Sequence, residues 1–364
     1  SGVLAAAKDL QRDVTKITGV TPNIVDSLAA AGDVCVVLGS ADCPEGKALL
    51  ASVGVATDDM DGKWETFKYR VLNDVGSKRQ VLAVAGSNLR GTIFGVYDFE
   101  QKHMDVDPFW FWADNEPPTR GELIFDDRVD FGPSKEPTWK YRGWTLNDHP
   151  QFMEWMQTGL VQRARYGRYM FAIHPEVLAR LHEAALRLKM NMFTWYFIDI
   201  DWYPDYERIR STVDRGLFIT QHQMESVGAD TGFWDHYWKQ HNPSGRPEEF
   251  SYRLHPEAFH EFWSYYIRRW SEFSPHVVWE LNLRGWADAA YSEPTLPDGG
   301  TDQQRAEILG AAVADQAKLV RQIDPNPNVE MMTTLYSEVG RFYDKGWIKV
   351  PEGVTTGFGD AGMS

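Results

Sequence analysis

The chain has 364 residues, with 37 Lys and Arg against 52 Asp and Glu, so its formal net charge is −15. This charge argues against the binding of a nucleic-acid backbone as the main activity. Hydrophobic residues make up 43% of the chain and charged residues 24%, as in globular proteins, and no apolar stretch approaches the roughly 18 residues of a membrane helix. The length fits two domains, or a small domain followed by a large one.

The first hundred residues alternate between helical and extended patterns, which predicts a small α/β domain with a mixed sheet. The predicted helices cover residues 3–18, 46–53 and 92–102, and the predicted strands cover residues 34–38, 67–72 and 81–85. The segment from Gly86 to Gly91 matches no phosphate-binding motif, so we interpret it as a strand-to-helix turn. The only cysteines, Cys35 and Cys43, exclude a disulfide framework and leave a single bond between them open.

Five prolines and the aromatic cluster Phe109-Trp110-Phe111-Trp112 predict a linker with packed aromatics between Asp105 and Pro137. After it, strands alternate with helices, which predicts a parallel sheet and, at this length, a (β/α)8 barrel. The predicted strands cover residues 141–146, 192–198, 217–220, 277–283, 329–335 and 354–357, and the predicted helices cover residues 175–189, 256–270 and 302–323.

The number of predicted barrel strands is about six, whereas the complete fold has eight. Either two strands are misread, or the chain is a piece of a longer protein. We expect the second, with a barrel that is incomplete in this chain and a native protein that is longer. The predicted domains are an N-terminal α/β domain over residues 1–130, with the linker near its end, and a catalytic barrel over residues 131–364.

Active sites of (β/α)8 barrels lie at the C-terminal ends of the strands, so the polar residues that follow each apolar run are candidate site residues. These candidates are Asn147, Asp148, Asp199, His222, Glu225, Arg284, Asp288, Tyr336, Glu338 and Asp360. Aromatic side chains accompany them, namely Trp144, Trp195, Trp286 and Tyr336. Carboxylates beside aromatic faces favour a carbohydrate site, where two acids carry out glycoside hydrolysis.

Each candidate residue also has a simpler explanation. A single acid after a strand is often a solvated turn residue, and a single Trp often packs the end of the barrel. Arg284 could hold a substrate carboxylate or pair with a neighbouring Asp. Other chemistries lack their signals: the absence of H-E-x-x-H and C-x-x-C argues against a zinc site, and the absence of G-x-S-x-G argues against a serine hydrolase.

Several motifs occur in one order from about residue 60 to the end of the chain. They are Gly62-Lys63-Trp64-Glu65, Arg90-Gly91-Thr92-Ile93-Phe94-Gly95, Trp110-Phe111-Trp112-Ala113-Asp114, Lys140-Tyr141-Arg142-Gly143, Asn147-Asp148, His222-Gln223-Met224-Glu225, Arg284-Gly285 and Leu335-Tyr336-Ser337-Glu338-Val339. Through these motifs the sequence resembles the α-glucuronidases of glycoside hydrolase family 115, which remove (4-O-methyl)glucuronic acid branches from xylan and related polysaccharides. The resemblance implies an N-terminal α/β domain, a catalytic barrel, and further domains C-terminal to this chain.

The resemblance also implies hydrolysis with inversion, without a cofactor or metal. Glu338 becomes the candidate general acid, and Asp288 or a neighbouring acid becomes the base that activates water. The residues that would shape the glucuronate pocket are His222, Glu225, Asn147, Asp148 and Arg284. In an inverting enzyme the two carboxyl groups stand roughly 6.5–9.5 Å apart.

Three positions differ from the family pattern: Trp286 and His149 stand where acids are usual, and Gly359 stands where the family tends to have paired Asp. The alternatives are therefore a glycosidase of shifted specificity and a non-catalytic carbohydrate-binding barrel. A hexosaminidase-type barrel is disfavoured because the chain has no adjacent Asp-Glu pair. The expected partner is a polysaccharide or oligosaccharide, with no nucleic acid and no membrane. The full-length protein could form a homodimer, and such substrates imply an extracellular or periplasmic location.

Overall fold

The computed structural model of the protein describes residues 1–75, 79–146, 173–195 and 198–359. The chain forms two units, of which the first comprises residues 1–144, 175–192 and 214–217 and the second the remainder. These units are defined by which residues pack together. The predicted domain boundary near residue 130 rests on sequence composition instead, and it stays a prediction. Among the helices in the described ranges, none has the length and apolar character needed to cross a membrane.

The first unit contains a mixed three-stranded sheet, as its sequence predicts. Its strands are β1 (Val34–Ser40), β2 (Phe67–Val75) and β3 (Arg79–Gly86), and its helices include α1 (Gly2–Thr18), α2 (Pro44–Ser52) and α3 (Leu89–His103). The central strand β3 pairs parallel with β1 and antiparallel with β2. A register shift between Leu72 and Val75 interrupts β2, which explains why the extended pattern of the sequence stops at Leu72.

The turn from β3 into α3 needs glycine for close backbone contacts. A Cβ atom on Gly86 would lie 2.0 Å from the nitrogen of Thr92, and one on Gly91 would lie 2.3 Å from the carbonyl oxygen of Thr66. The Asn88 side chain caps α3 by accepting a hydrogen bond from the Gly91 N–H at 2.9 Å. The predicted strand-to-helix turn is confirmed.

A buried ion network joins the helices of the first unit. Arg187, at the end of α4 (Pro175–Arg187), donates hydrogen bonds to Asp13 of α1 at 2.5 Å, Glu100 of α3 at 2.8 Å and Glu183 at 2.9 Å. Trp110, from the predicted linker, is buried and donates to Glu183 at 2.9 Å. Helices far apart in sequence are thus held together by one guanidinium.

The six strands of the larger sheet follow one another in chain order. They are β4 (Gly143–Leu146), β5 (Met192–Trp195), β6 (Phe218–Gln221), β7 (Val277–Glu280), β8 (Glu330–Leu335) and β9 (Val354–Phe358). The sheet is parallel and curled into a half-barrel. The prediction of an incomplete (β/α)8-type barrel is confirmed.

Five helices in the described ranges follow these strands. They are α5 (Tyr203–Asp214), α6 (Trp234–His241), α7 (Pro256–Trp270), α8 (Asp302–Ile323) and α9 (Glu338–Asp344). The sequence predicts α7 and α8 with these bounds, since Pro256 suits a first turn and Thr301 with Gln304 forms a capping box. It does not predict α5, α6 or α9, which have short or highly polar patterns.

Much of the aromatic content packs the interior of the second unit. The fully buried side chains include Trp195, Trp238, Trp263, Trp270 and Trp279. Trp195 stacks on Phe193 with ring centroids 5.0 Å apart. Packing of the protein interior, rather than sugar binding, therefore explains the presence of these five tryptophans.

Candidate active site

Arg284, in the loop after β7, connects the two acids that the resemblance singles out. Its Nη1 donates a hydrogen bond to Oε1 of Glu338 at 2.6 Å, and its Nε donates to Oδ1 of Asp288 at 2.8 Å. Because both oxygens contact one planar guanidinium, they lie within about 8 Å of each other. The Arg284 and Glu338 side chains are 2% and 6% exposed, so their contact is shielded from bulk solvent, whereas the Asp288 side chain is 23% exposed. The structure thus brings Glu338 and Asp288 together.

The loop that carries Asp288 is closed by hydrogen bonds. The Gly285 N–H donates to the Ala289 carbonyl at 2.9 Å, and Nη2 of Arg284 donates to the Asp288 carbonyl. Asp288 adopts a φ of 61°, in the left-handed region that Asp tolerates better than most residues. Its Oδ2 accepts a hydrogen bond from Nε2 of Gln223 at 3.2 Å. Two donors therefore hold the Asp288 carboxylate in place.

Glu338 is placed by the turn between β8 and α9. Its backbone begins α9, directly after Ser337, whose φ of 54° is uncommon for a residue with a side chain. The Glu338 side chain is buried. A strained residue beside a buried acid is a frequent feature of active sites.

Two further acids, Glu225 and Asp230, lie in the loop after β6. Oε1 of Glu225 accepts a hydrogen bond from the Ile198 N–H at 2.8 Å. Burial raises the pKa of Glu225 well above its usual range, and the nearby charge of Asp230 adds to this effect. Burial also raises the pKa of Asp230 to about 6, with a contribution from Asp288. These two acids and Asp288 therefore interact electrostatically.

The sequence did not single out Asp230. The Asp230-Thr231-Gly232 segment is a typical turn sequence, in which an Asp side chain accepts a hydrogen bond from the backbone two residues on. The structure has this bond, from the Gly232 N–H to Oδ1 of Asp230. Asp230 differs from an ordinary turn residue only in being buried and in lying near other acids. Neither property can be seen in the sequence.

Glu280 is a second acid that the sequence did not single out, although it interrupts the apolar pattern of β7. It is buried at the end of the strand, where its carboxylate accepts hydrogen bonds from the Thr334 N–H at 2.8 Å and the Thr334 hydroxyl at 3.0 Å. Burial raises the pKa of Glu280 to about 8, against an ordinary value of 4.5. Glu280 therefore links β7 to β8 as a predominantly protonated acid at neutral pH.

We expect a Glu280→Gln variant to lose part of the pH dependence of stability. Because the folded-state pKa of Glu280 is about 8 and lies above 4.5, its contribution is complete below about pH 4.5 and is lost as the pH rises towards 8. The slope from one such group is at most roughly 1.4 kcal/mol per pH unit. Urea unfolding of both proteins from pH 5 to pH 8 measures it. The exposed Glu352→Gln change is the control, and parallel curves for the wild type and Glu280→Gln would contradict the assignment.

The aromatic candidates differ in their surroundings. Trp195 is 0% exposed and so offers no ring face to a sugar, which makes it a packing residue rather than part of a binding surface. Trp286 is 69% exposed and lies against Gly232, where a Cβ atom would be 3.7 Å from the indole. Tyr336 is half-buried, with the Arg284 guanidinium 5.3 Å from its ring centroid. Trp144 is half-buried and belongs to the first unit.

The remaining predicted site residues are placed as follows. His222 is buried, and its carbonyl accepts a hydrogen bond from the Glu225 N–H at 2.8 Å, so the two share one turn. Asp199 is half-buried; its Oδ1 accepts from the Asp201 N–H at 3.0 Å, and burial raises its pKa. The predicted residues Asn147, Asp148 and Asp360 lie outside the described residues. Within the described part of the chain, no group of three His, Cys, Asp or Glu side chains could hold a metal.

The model of glycosyl hydrolase family 115 matches residues 134–364, which is more than half of the chain. The chain belongs to this family. Its fold is similar over 97% of its length to a solved family GH115 4-O-methyl-α-glucuronidase with specificity for decorated arabinogalactans, with a TM-score of 0.76 and 21% identity. The chain spans 43% of that structure. A chitobiase from Flavobacterium johnsoniae matches 93% of this chain and 48% of its own, with a TM-score of 0.47 and 12% identity.

No curated protein sequence matches the chain. The family 115 match covers the half-barrel, including Arg284 and its partners Asp288 and Glu338. The predicted family membership is confirmed, and at 21% identity the solved structure bears on the fold alone. The roles of individual family 115 site residues in this chain stay predictions.

Proposed function

We propose that the full-length protein is a glycosidase that removes (4-O-methyl)glucuronic acid side chains from xylan or a related polysaccharide. The observation that carries the proposal is the meeting of Glu338 and Asp288 at one buried guanidinium in a family 115 barrel. Two carboxyl groups within about 8 Å can flank a single glycosidic bond. Such a substrate implies action outside the cytoplasm, in an extracellular or periplasmic compartment.

In the proposed reaction, Glu338 is the general acid and Asp288 the general base. Asp288 takes a proton from a water molecule while the water oxygen bonds to the anomeric carbon from the face opposite the leaving group. The bond from the anomeric carbon to the glycosidic oxygen breaks, and that oxygen receives the proton of Glu338. The product sugar then has the inverted configuration, and both acids return to their first state when they exchange a proton with solvent.

Arg284 has a positioning role in this scheme. Its Nε and Nη1 contact the base and the acid, so movement of the guanidinium would displace both at once. Trp286 lies in the same loop as Arg284 and Asp288, and its exposed indole offers a stacking surface for a sugar. A tryptophan in place of an acid would change which branched chain fits, so specificity is expected to depend on Trp286.

The direct test is incubation of the full-length protein with glucuronoxylan and with glucuronate-bearing arabinogalactan. We expect free glucuronic acid or its 4-O-methyl ether, and proton NMR at early times should detect the β-anomer. The initial appearance of the α-anomer would contradict inversion. Binding of either polysaccharide without any release would favour the non-catalytic carbohydrate-binding alternative and would contradict the proposed activity.

A further inference from the structure

Trp139 is the most exposed tryptophan in the described ranges, with 73% of its surface accessible. It lies in the first unit, just before the N-terminal end of β4. Active sites of (β/α)8 barrels lie at the C-terminal ends of the strands, so Trp139 stands away from the catalytic end of that strand. A large ring left in water contributes no burial to folding, so packing does not explain the exposure of Trp139.

A second segment of the first unit, around Trp64, lies against the turn that carries Trp139. Nε1 of Trp64 donates a hydrogen bond to the Lys140 carbonyl at 3.3 Å, and the Trp64 N–H donates to Oε1 of Glu136 at 2.7 Å. The Lys140 ammonium lies 5.2 Å from the ring centroid of Trp64 and 5.4 Å from that of Tyr141. Three aromatic residues and a lysine thus make up the Trp139 surface, namely Trp64, Trp139, Lys140 and Tyr141.

A buried polar network holds the backbone of the Trp139 surface. Nη1 of Arg142 donates to the carbonyl oxygens of Trp139 and Lys140 at 2.8 and 3.2 Å. Nη2 of Arg142 donates to the buried Glu65 carboxylate at 2.6 Å. The buried Asn191 amide donates to the same carboxylate at 2.9 Å and to the Lys140 carbonyl at 2.7 Å. A turn whose backbone is fixed in this way loses little entropy when it binds a ligand.

The exposed charge around the Trp139 surface is mainly positive. The exposed charged side chains of residues 62–65 and 134–142 are Lys63, Lys135, Lys140 and Glu136. The other acid of these segments, Glu65, is buried and paired with Arg90 and Arg142. The chain as a whole has a net charge of −15, so three exposed lysines against one exposed acid differ from the average of the molecule. Such a surface favours an anionic ligand.

We propose that the Trp139 surface is a second carbohydrate-binding site, which holds a glucuronate-bearing polysaccharide apart from the active site. The Trp139 indole offers its face to a sugar ring, and the Lys140 ammonium attracts the carboxylate of a uronic acid branch. No bond of the polymer breaks there. Retention of one part of the chain raises the effective concentration of its other branches at the active site. The choice of ligand rests on the proposed function, whereas the pairing of an aromatic face with a cation is a property of the surface itself.

The binding test is affinity electrophoresis of the full-length protein in native gels that contain glucuronoxylan, or the same polymer with its carboxyl groups reduced to alcohols. We expect Trp139→Ala to raise the apparent Kd for glucuronoxylan about tenfold, as for an aromatic residue that anchors a ligand. Lys140→Gln should raise it about two- to fivefold and abolish the preference of the wild type for the unreduced polymer. Ile124→Ala, at an exposed apolar residue of the same unit, is the matched control and should bind as the wild type does.

An aryl α-glucuronide, which needs only the active site, separates this inference from the proposed function. Trp139→Ala should keep wild-type kcat/KM on it, and should raise KM on glucuronoxylan with kcat unchanged. A wild type that does not hydrolyse the aryl glucuronide would contradict the proposed function, while the gels would still decide whether the Trp139 surface binds the polymer.

Three results would overturn the second site. They are equal retention of the wild type and Trp139→Ala, equal retention of the wild type by the unreduced and reduced polymers, and a Trp139→Ala variant with normal retention but a lower Tm or a changed molecular mass. The last result would assign Trp139 to a contact with another part of the full-length protein or with a second copy of it.

Discussion

A Glu338→Gln variant is expected to lose roughly 10²- to 10⁴-fold of kcat/KM on polysaccharide substrates, the usual contribution of a general acid. The amide keeps an oxygen that can accept the hydrogen bond from Nη1 of Arg284, which in the wild type is 2.6 Å long. It has no proton to transfer to the glycosidic oxygen. Release of glucuronic acid at several substrate concentrations measures the loss, with Tm as the test of folding.

The leaving group distinguishes a general acid from a residue that only maintains structure. An aryl α-glucuronide with an acidic phenol departs with little help from a proton donor, so Glu338→Gln should lose much less activity on it. Glu249→Gln, at an exposed acid paired with His255, is the matched control and should retain wild-type rates. Equal losses on the aryl and polysaccharide substrates, or full activity on both, would remove Glu338 from the role of acid.

The largest effect on stability is expected at Arg187. An Arg187→Met variant keeps a long side chain but removes the guanidinium that pairs with Asp13, Glu100 and Glu183. Asp13 and Glu183 keep their pairs with Arg12, so the buried Glu100 carboxylate is the group left without a cation among the described residues. Breaking a buried ion pair in this way destabilises a protein by about 3–5 kcal/mol. The free energy of unfolding from urea titration at pH 7 measures it. Arg187→Lys should recover only part of the loss, because an ammonium group cannot reproduce the planar geometry of three separate bonds.

An exposed ion pair supplies the matched control for Arg187. Arg128→Met breaks the contact of an exposed arginine with Asp126, and because solvent screens exposed ion pairs it should change stability far less than Arg187→Met does. The defect of Arg187→Met should also shrink as the pH falls, since protonated carboxyl groups need no cation. In the wild type, Arg187 and Arg12 hold the pKa of Glu183 well below its usual range, so that contribution is present at neutral pH and is lost on acidification. A loss at pH 7 no larger than that of Arg128→Met would contradict the central role of Arg187.

Local signals explain which elements could be predicted. The bounds of α7 and α8 depend on Pro256 and on the Thr301 capping box, and both features act within one helical turn. Helix α5 has a charged sequence with few apolar residues, and α9 has only seven residues, so neither gives a clear periodic pattern. A crossover between the parallel strands β5 and β6 nevertheless requires a connection of the kind that α5 supplies.

The candidate site could be predicted in part because it lies at strand ends, which the sequence identifies. Barrel geometry places strand ends on one side, so the sequence alone pointed to Arg284, Asp288 and Glu338. It also pointed to Trp195, which the structure buries completely, and to Trp286, which the structure exposes. Both are Trp residues near the end of a predicted strand, and no local pattern separates them.

The sequence by itself determined the family, the order of the strands, and which strand ends carry acids. These features depend on periodicity, capping and short motifs, which act over a few residues. The tertiary structure alone decided that Arg284 meets Glu338 across 54 residues of sequence, and that Asp230 and Glu280 are buried. Proximity and desolvation arise only when distant segments pack, and they are what shift the pKa of a carboxyl group from its usual value.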